Sequence, residues 1–362
     1  MTERHVLVAG ATGLVGRAAV EHFAKAGIRV TAVSRRRPFD LYGAGFVSVD
    51  LADRDACAGV FGAMTDVTHV VFAALHEEPE LVAGWLHDAH IQRNGAMLRN
   101  LVDPIDAASP GLRNIAVLQG PKAYGVHVKP LRTAAREDRD EMKDLPNFYW
   151  AQEDYIRDKQ QGRPWSWTVW RPGLVVGMAI GGAMNIIAAI GVYAAVLKAR
   201  GEALHYPGGI VPIFEATDTE LMARAFDWGG EAPEAANQIF NLTNGEVFDF
   251  RDLWPVIAES LGMEAGRERP MGMAEAMPQF AADWDRIRDK HGLRAPDMAS
   301  FVGQSFQFAD FCLAHGNDAV LTPAVMSSVK VRQAGFGEAM YTDAMFAKWF
   351  ARYQRDGLLP PV

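Results

Sequence analysis

The feature that most constrains this chain is a glycine loop placed between an apolar strand and an amphipathic helix. The stretch HVLVAGATGLVGRAAVEHFAKAG begins at His5, and Gly10, Gly13 and Gly16 recur in it at three-residue spacing. Apolar residues of the following stretch recur on one helical face, and Ile28–Val33 is then a β-branched strand. This order predicts a βαβ unit whose free N–H groups, at the start of the helix, bind phosphate.

The spacing of the glycines and the end of the second strand together predict a dinucleotide site. G-x-x-G-x-x-G is the spacing of short-chain dehydrogenases and reductases, whereas alcohol and lactate dehydrogenases use G-x-G-x-x-G. An NAD-binding protein usually carries an acidic residue after the second strand, where this chain has Ser34-Arg35-Arg36. Guanidinium groups there can bind a 2′-phosphate, so we expect NADPH; a solvated basic turn is the alternative.

The residues expected to contact this cofactor lie in the glycine loop and at the ends of the second to fifth strands. They are Gly10, Thr12, Gly13, Leu14, Val15, Gly16, Ser34, Arg35, Arg36, Asp50, Leu51, Ala73, Ala74 and Gln119. Asp50 and Leu51 lie where an adenine edge is expected in such a fold. An aspartate that caps the next helix is an equally good interpretation of Asp50.

Strand-like runs continue along the chain and alternate with helical stretches, which predicts an α/β fold. We expect a doubly wound, parallel Rossmann sheet with helices on both faces, followed by a smaller, mainly helical substrate-binding part. The predicted domains are residues 1–175, with 205–248 returning to the sheet, and residues 176–204 with 249–362. The predicted elements are strands at Phe46–Asp50, Thr68–Ala74, Asn114–Gln119, Trp165–Arg171 and Phe240–Thr243, and helices at about Ile91–Ile105 and Phe250–Leu261.

Composition limits the partners. Of 362 residues, 49% are hydrophobic and 22% charged, as in soluble globular proteins. A net charge of −8 argues against nucleic acid or an anionic membrane surface as the main partner. Cys57 and Cys312 are the only cysteines, which excludes a disulfide framework and favours the cytoplasm. We find no metal-ligand spacing. Oligomeric state is left open, with a homodimer as the candidate.

The stretch Gly173–Leu197 has no charged residue and is long enough to span a bilayer. It contains five glycines, Asn185 and Tyr193, and it directly follows a predicted sheet strand. We therefore expect a buried loop and helix that wall a pocket, with a membrane span as the alternative.

Two tyrosines compete for the catalytic position. Tyr155 and Lys159 match the Tyr-x-x-x-Lys pattern by which short-chain reductases are usually recognised. Tyr155, however, lies only 16 residues before Arg171, whereas Tyr149 lies 22 before it, as expected for extended members of that superfamily. Six helical residues also place Tyr155 about 9 Å along the axis and off the face of Tyr149. We predict that Tyr149 acts and that Tyr155 and Lys159 are bystanders.

Tyr149 is followed four residues later by Glu153 and so has no lysine of its own, but Lys122, after the fifth strand, can supply one. The chain resembles the progesterone 5β-reductase/iridoid synthase-like family of short-chain reductases over essentially its whole length. The resemblance rests on GATGLVG, RNGAMLRNLVD, LQGPKAYG, NFYWAQED, WRPGLVVG, NIIAAIGVYAAVLK and FNLTNGEVFDFRDLW. It implies that Tyr149 and Lys122 act together. Trp150, where plant members commonly have a second tyrosine, and Gln119, in place of the superfamily's Ser/Thr, are departures.

The resemblance implies NADPH-dependent reduction of the activated C=C bond of an enone or enal. Hydride addition at the β-carbon places negative charge on the carbonyl oxygen, and a phenol backed by an ammonium can stabilise it. We expect Lys122 to lower the pKa of Tyr149 and the substrate to be small and apolar. The alternatives are a carbonyl reductase or alcohol dehydrogenase of the same fold, and a non-enzymatic NADP-sensing regulator. Taken singly, Lys122 could be a surface lysine and Tyr149 a packing aromatic.

Overall fold

The computed structural model describes residues 3–77, 87–131, 133–319 and 323–362. The chain folds into two compact units, each made of three chain segments. The first unit consists of Met1–Gly173, Thr219–Thr243 and Met326–Glu338, and the second of Leu174–Asp218, Asn244–Val325 and Ala339–Val362.

Strands are numbered here in chain order. Within the described residues they are β1 (His5–Ala9), β2 (Arg29–Ser34), β3 (Gly45–Ser48), β4 (His69–Phe72), β5 (Asn114–Leu118), β6 (Ser166–Pro172), β7 (Leu174–Val176), β8 (Leu204–Tyr206), β9 (Phe214–Asp218), β10 (Gln238–Leu242), β11 (Val247–Phe248) and β12 (Ala265–Glu268).

The helices are numbered in the same way. They are α1 (Leu14–Lys25), α2 (Arg54–Phe61), α3 (Asp88–Ala108), α4 (Phe148–Gln160), α5 (Ile186–Ala199), α6 (Thr219–Glu231), α7 (Phe250–Ser260), α8 (Met273–Ala276), α9 (Ala281–His291), α10 (Met298–Val302), α11 (Ser305–Cys312), α12 (Val329–Gln333) and α13 (Thr342–Arg355), with 3₁₀ turns at Pro121–Tyr124, Pro233–Ala235 and Met277–Phe280.

The first unit is built on a seven-stranded parallel sheet with the strand order β10-β6-β5-β4-β1-β2-β3. Central strands such as β4 are buried along their whole length, as parallel strands covered on both faces should be. Around them α1 packs against α6, α2 against α3, and α3 against α4. The predicted doubly wound Rossmann fold is confirmed.

Several predicted strands extend beyond the observed ones, most of all Thr68–Ala74, where β4 is His69–Phe72, and Phe46–Asp50. Phe46–Asp50 was expected, but β3 ends at Ser48. The chain turns at this point because a carboxylate oxygen of Asp50 accepts a hydrogen bond from the Ala52 N–H at 3.0 Å. The cap of α2 is Asp53, whose carboxylate accepts from the Ala56 N–H at 3.0 Å. Asp50 is therefore not the helix cap.

The second unit has the uncharged helix α5 in its core. Asn185 caps α5 by accepting from the Ala188 N–H at 3.2 Å, and every residue of Ile186–Leu197 is buried. In this unit α5 packs against α9, α10, α11 and α13, beside one three-stranded and one two-stranded sheet. No helix within the described ranges has both the length and the hydrophobicity needed to span a membrane.

The two units divide the chain differently from the predicted domains, and the longest differences are residues 205–218 and 326–338. Residues 205–218 lie in the second unit, because β9 pairs with β7 and β11 rather than with the seven-stranded sheet. Residues 326–338 lie in the first unit, because α12 packs against β10. Short strands and a five-residue helix have no periodicity long enough to assign them from sequence.

Candidate active site

The glycine loop is packed so tightly that two of its members have no room for a side chain. Gly10 has a φ of +84°, and a Cβ built on it would lie 2.5 Å from the Ala73 carbonyl oxygen. A Cβ on Gly16 would lie 2.2 Å from the Gly10 carbonyl oxygen. The loop is closed by a hydrogen bond from the Gly13 N–H to the Gly10 carbonyl at 2.9 Å. The resulting cradle of bare backbone fits a phosphate group.

Helix α1 begins directly behind this cradle. Its N-cap is Gly13, which brings no side-chain hydrogen bond to the cap, and its first turn contains no acidic residue. The positive end of the helix dipole is therefore available to an anion. Thr12, Leu14 and Val15 surround it and are half-buried, so the predicted loop residues lie together at one helix end.

The basic turn after β2 is braced by two serines. The Ser34 hydroxyl donates to the Arg36 carbonyl oxygen at 2.6 Å, and the Ser48 hydroxyl donates to the Arg35 carbonyl oxygen at 3.0 Å. Both arginine side chains are exposed. Ser34 therefore supports the turn through its hydroxyl proton. Ser48 was missed by sequence reasoning, although its register opposite Ser34 follows from pairing β2 with β3.

Arg35 faces a cleft beside the end of β3. The cleft has a volume of about 510 Å³, and its lining includes Arg35, Ser48 and Asp50. Leu51 is buried next to it, and the Leu51 carbonyl oxygen accepts a hydrogen bond from the Asn100 side chain at 2.8 Å. The predicted adenosine-side residues Asp50 and Leu51 thus lie at the same sheet edge as the arginine turn. Ala73 and Ala74 lie against Gly10 at the neighbouring strand end.

Tyr149 lies in the first turn of α4. Asn147 caps this helix, and its side-chain oxygen accepts a hydrogen bond from the Tyr149 N–H at 3.1 Å. The phenol is buried and packs edge-to-face on Phe148, with ring centroids 4.7 Å apart. Lys122 lies in the 3₁₀ turn after β5, and its Nζ is 6.0 Å from the centroid of the Tyr149 ring. The two predicted catalytic residues therefore come together.

The pKa of Tyr149 is raised, whereas a lowered value was expected from the sequence. Burial, with the negative charge of Glu77, raises the pKa of Tyr149 well above its ordinary value, although the Arg171 cation acts against this. Burial lowers the pKa of Lys122 to about 8, against the opposing effect of Glu77. Burial disfavours the charged form of both groups and is the largest cause of both shifts. Tyr149 is thus a neutral hydrogen-bond donor, and Lys122 is the group that titrates near neutrality.

A buried polar network lies behind Tyr149, and sequence reasoning missed most of it. The Arg171 side chain is completely buried and donates to Gln119 at 2.7 Å, to Glu141 at 2.7 Å and to the Tyr124 hydroxyl at 3.1 Å. The Gln119 amide donates to Glu153 at 3.1 Å and to the Tyr149 carbonyl oxygen at 3.3 Å. Gln119 was predicted to contact cofactor, yet its side chain serves this network.

Glu153 occupies the position four residues after Tyr149, where short-chain reductases usually have lysine. Burial raises the pKa of Glu153, but the hydrogen bond from Gln119 and the cations Lys143, Arg157 and Arg171 outweigh it. The pKa of Glu153 therefore lies below its ordinary value, and the carboxylate stays ionised. This position therefore has a negative charge where short-chain reductases usually have a positive one. The guanidinium of Arg171, on β6, forms an ion pair with this carboxylate.

Tyr155 and Lys159 lie at the other end of α4. The Tyr155 hydroxyl donates to Asp103 on α3 at 2.9 Å, and Lys159 pairs with Asp103 at 2.8 Å and with Asp106 at 3.4 Å. The pair is thus engaged with carboxylates of α3 and lies apart from the strand end that carries Lys122. Its predicted role as a bystander stays a prediction.

The sequence of this chain is similar to those of several known proteins. Residues 6–163 match the family described as "NAD dependent epimerase/dehydratase family". This part of the chain is similar to that family, and it contains most of the seven-stranded parallel sheet. The (S)-8-oxocitronellyl enol synthase of Nepeta racemosa is 28% identical over 378 residues, covering 99% of this chain and 94% of that protein. The 3-oxo-Delta(4,5)-steroid 5-beta-reductase of Arabidopsis thaliana is 27% identical over 386 residues, with coverage of 99% and 94%.

These relatives confirm the resemblance inferred from the motifs, and they confirm the expectation of an enzyme. Among solved structures, the UDP-glucose 4-epimerase of Thermus thermophilus, in complex with NAD, has a TM-score of 0.66 at 16% identity and covers 97% of this chain and 99% of its own. An epimerase of Methanothermobacter thermautotrophicus has a TM-score of 0.68 at 18% identity, with coverage of 98% and 94%. At such identities the likeness shows the fold alone, which is a Rossmann-like α/β fold.

Proposed function

We propose that this chain catalyses the NADPH-dependent reduction of the activated C=C bond of a small apolar enone or enal. The observation that carries the proposal is the pairing of Lys122 with Tyr149, whose ring centroid is 6.0 Å from the ammonium nitrogen. Lys122 lies in the turn after β5 and Tyr149 lies in the first turn of α4. Doubly wound folds bind ligands at the carboxyl ends of their strands. Relatives named as an enol synthase and a steroid 5-beta-reductase support the reaction class.

The residues fit the cofactor that the reaction needs. The cradle of Gly10, Gly13 and Gly16 would hold the pyrophosphate, and Arg35 and Arg36 would bind the 2′-phosphate. When bound, NADPH supplies the hydride that is delivered to the β-carbon of the substrate. We assign substrate binding to residues 176–204 and 249–362, which lie mostly in the second unit.

The chain's own residues then act on the charge that develops on the substrate oxygen. Tyr149 keeps its proton, because burial raises the pKa of its phenol, and donates a hydrogen bond to that oxygen. Lys122, with a pKa of about 8, is largely an ammonium at neutral pH and adds positive charge beside the ring. Donors of this kind act on the transition state more than on the ground state, which is what accelerates the reaction.

Reduction with NADPH deuterated at the transferred position tests the reaction class. A panel of cyclic enones, enals and steroid-like enones is assayed, and the label is located by mass spectrometry and NMR. The enolate formed by hydride addition takes up a proton at its α-carbon from water, so we expect deuterium at the β-carbon of a saturated carbonyl product. Deuterium on a carbinol carbon would make the protein a carbonyl reductase, and NADPH binding without turnover of any compound would favour the cofactor-sensing alternative.

The cofactor preference is tested with the double variant Arg35→Ala/Arg36→Ala. Charge-assisted hydrogen bonds to phosphate contribute about 1.5–3 kcal/mol each, so we expect NADPH affinity to fall roughly 100-fold and NADH affinity to change little. Fluorescence titration of both cofactors measures this. Arg37→Ala is the matched control, because that guanidinium lies over the Phe46 ring at 5.5 Å. Equal affinities of the unmodified protein for the two cofactors would contradict the assignment.

A further inference from the structure

Two consecutive residues after β5 contact opposite parts of Tyr149. The side-chain amide of Gln119 donates to the Tyr149 carbonyl oxygen at 3.3 Å. Gly120 lies against the phenol, because a Cβ built on Gly120 would be 3.1 Å from the Tyr149 hydroxyl oxygen. The N–H of Tyr149 is already bound by Asn147 at 3.1 Å. The backbone N–H, the backbone carbonyl and the hydroxyl of Tyr149 are thus each in contact with a neighbouring residue that restricts its position.

The orientation of the Gln119 amide is not arbitrary. Arg171 donates to Gln119 Oε1 at 2.7 Å and can only donate, so this atom must be the oxygen. The amide nitrogen is consequently turned towards Glu153, at 3.1 Å, and towards the Tyr149 carbonyl. The buried pair of Arg171 and Glu153 therefore specifies which group of Gln119 faces Tyr149.

Backbone conformation does not explain the glycine at position 120. Its φ is −173°, which is extended backbone that any residue can adopt. The limit on size comes from the phenol, since an alanine methyl 3.1 Å from the hydroxyl oxygen is closer than the ordinary separation of about 3.5 Å or more. The hydroxyl would have to move by a few tenths of an ångström. Gly120 therefore leaves a space into which the reactive end of Tyr149 fits.

We propose that Gln119 and Gly120 are positioning residues for Tyr149, and that Gly120 sets where its hydroxyl oxygen lies. The proposal rests on the proposed function, in which that hydroxyl binds the substrate oxygen. Hydrogen-bond donors assist such a reaction only when they are held where charge develops. A misplacement of about 1 Å can cost roughly 100-fold in rate, so a smaller shift is expected to cost about tenfold.

Gly120→Ala is the first test, with Gly111→Ala as the matched control. Gly111 is exposed, and a Cβ there would meet its nearest atom only at 4.0 Å. Gly120→Ala should lower kcat by about tenfold and leave NADPH affinity unchanged, whereas Gly111→Ala should change neither. In a Tyr149→Phe background, Gly120→Ala should cost less than about twofold, because the oxygen that the methyl displaces is gone. An undiminished loss in that background would overturn the proposal.

The melting temperatures of four proteins give a second measurement that does not need turnover. The proteins are the unmodified protein, Gly120→Ala, Tyr149→Phe and the double variant. Gly120→Ala should lower the melting temperature of the unmodified protein more than that of the Tyr149→Phe variant, because the steric conflict is with the hydroxyl. If the label from deuterated NADPH appears on a carbinol carbon, the proposed function fails, but this coupling is still expected. If the label appears at the β-carbon and both kcat and melting temperature are strictly additive, the positioning proposal alone is wrong.

Gln119→Glu tests the other half of the pair. This substitution keeps an acceptor for Arg171 but removes the N–H groups that donate to the Tyr149 carbonyl oxygen and to Glu153. Because it also places a carboxyl group beside the Glu153 carboxylate, the melting temperature is measured first and kcat is compared for folded protein. We expect kcat to fall by about tenfold with unchanged NADPH affinity, and the exposed Gln161→Glu variant to behave like the unmodified protein. A Gln119→Glu protein with unchanged kcat would show that the hydrogen bond does not position Tyr149.

Discussion

Helix α4 carries a tyrosine near each end, and the two have different surroundings. Tyr149, in the first turn, is buried against Phe148, with Lys122 on its ring and a network of Gln119, Arg171 and Glu153 behind it. Tyr155, two turns later, donates to Asp103, a carboxylate that also binds Lys159. One phenol is next to a strand end of the sheet, while the other takes part in a polar contact between two helices.

A sequence pattern that usually marks a catalytic site can therefore lie at a different place in the fold from the site itself. Tyr155 and Lys159 keep the spacing of the superfamily, yet the hydroxyl of Tyr155 is already used by Asp103. Tyr149 lacks the spacing but has a lysine from another segment and a buried environment that keeps its proton in place. Catalysis needs groups at stated positions in space, and more than one arrangement of the chain can supply them.

The largest expected effect separates the two tyrosines by activity. Tyr149→Phe removes the donor to the substrate oxygen, and loss of one such donor typically costs about 10²–10³ in kcat. NADPH affinity should hardly change. Tyr155→Phe removes only a contact with Asp103 and should leave kcat within about twofold. Steady-state kinetics and cofactor titration measure both, and a hundredfold loss in a folded Tyr155→Phe protein would reverse the assignment.

Most of the fold could be predicted from sequence, because its signals are local. The glycine spacing, the apolar runs of the sheet strands and the helix start at Asn147 each depend on neighbours a few residues away. Placing Lys122 beside Tyr149 required only that two strand-end segments meet at one edge of a parallel sheet.

The remainder of the site could not be predicted, because it depends on contacts between distant segments. Arg171 meets Gln119 across 52 positions and Glu153 across 18, and no periodicity connects them. The direction of the phenol pKa was also beyond the sequence, since it depends on burial and on the charge of Glu77. Resemblance to a family suggested which residues act, but it did not indicate what surrounds them.

The free energy of unfolding also distinguishes the two ends of α4. Glu153→Gln breaks a completely buried ion pair with Arg171 and is expected to cost about 3 kcal/mol in the free energy of unfolding. Asp103→Asn, at the exposed end, should cost less than about 1 kcal/mol. Denaturant unfolding of both variants at neutral pH makes the comparison. Equal losses would mean that the network behind Tyr149 is no stronger than a surface contact.

The pH dependence of the same variants has a definite sign. The pKa of Glu153 in the folded protein lies below its ordinary value, so its stabilising contribution is present above the unfolded pKa and is lost as pH falls through the folded one. The unmodified protein should therefore lose this contribution on acidification, from its ordinary value of 4.5 downwards. Glu153→Gln should lack that part of the acid-induced loss.

The smallest expected effect distinguishes the two lysines. Lys122→Met should lower kcat by about tenfold, less than Tyr149→Phe, because the lysine adds charge near the ring without being the donor we assign to the substrate oxygen. Burial holds the pKa of Lys122 at about 8, so kcat of the unmodified protein should decline as pH rises through that value, and Lys122→Met should lack the decline. Lys159→Met should keep the decline of kcat, since Asp103 and Asp106 outweigh burial and raise the pKa of Lys159.

The stability of the folded protein should also depend on the titration of Lys122. Between about 8 and the ordinary lysine value of 10.5 the unfolded chain binds more protons at Lys122 than the folded one. The free energy of unfolding should therefore rise with pH in this range, and the rise should vanish in Lys122→Met. A pH profile of kcat that Lys122→Met leaves unchanged would show that Lys122 is not the titrating group.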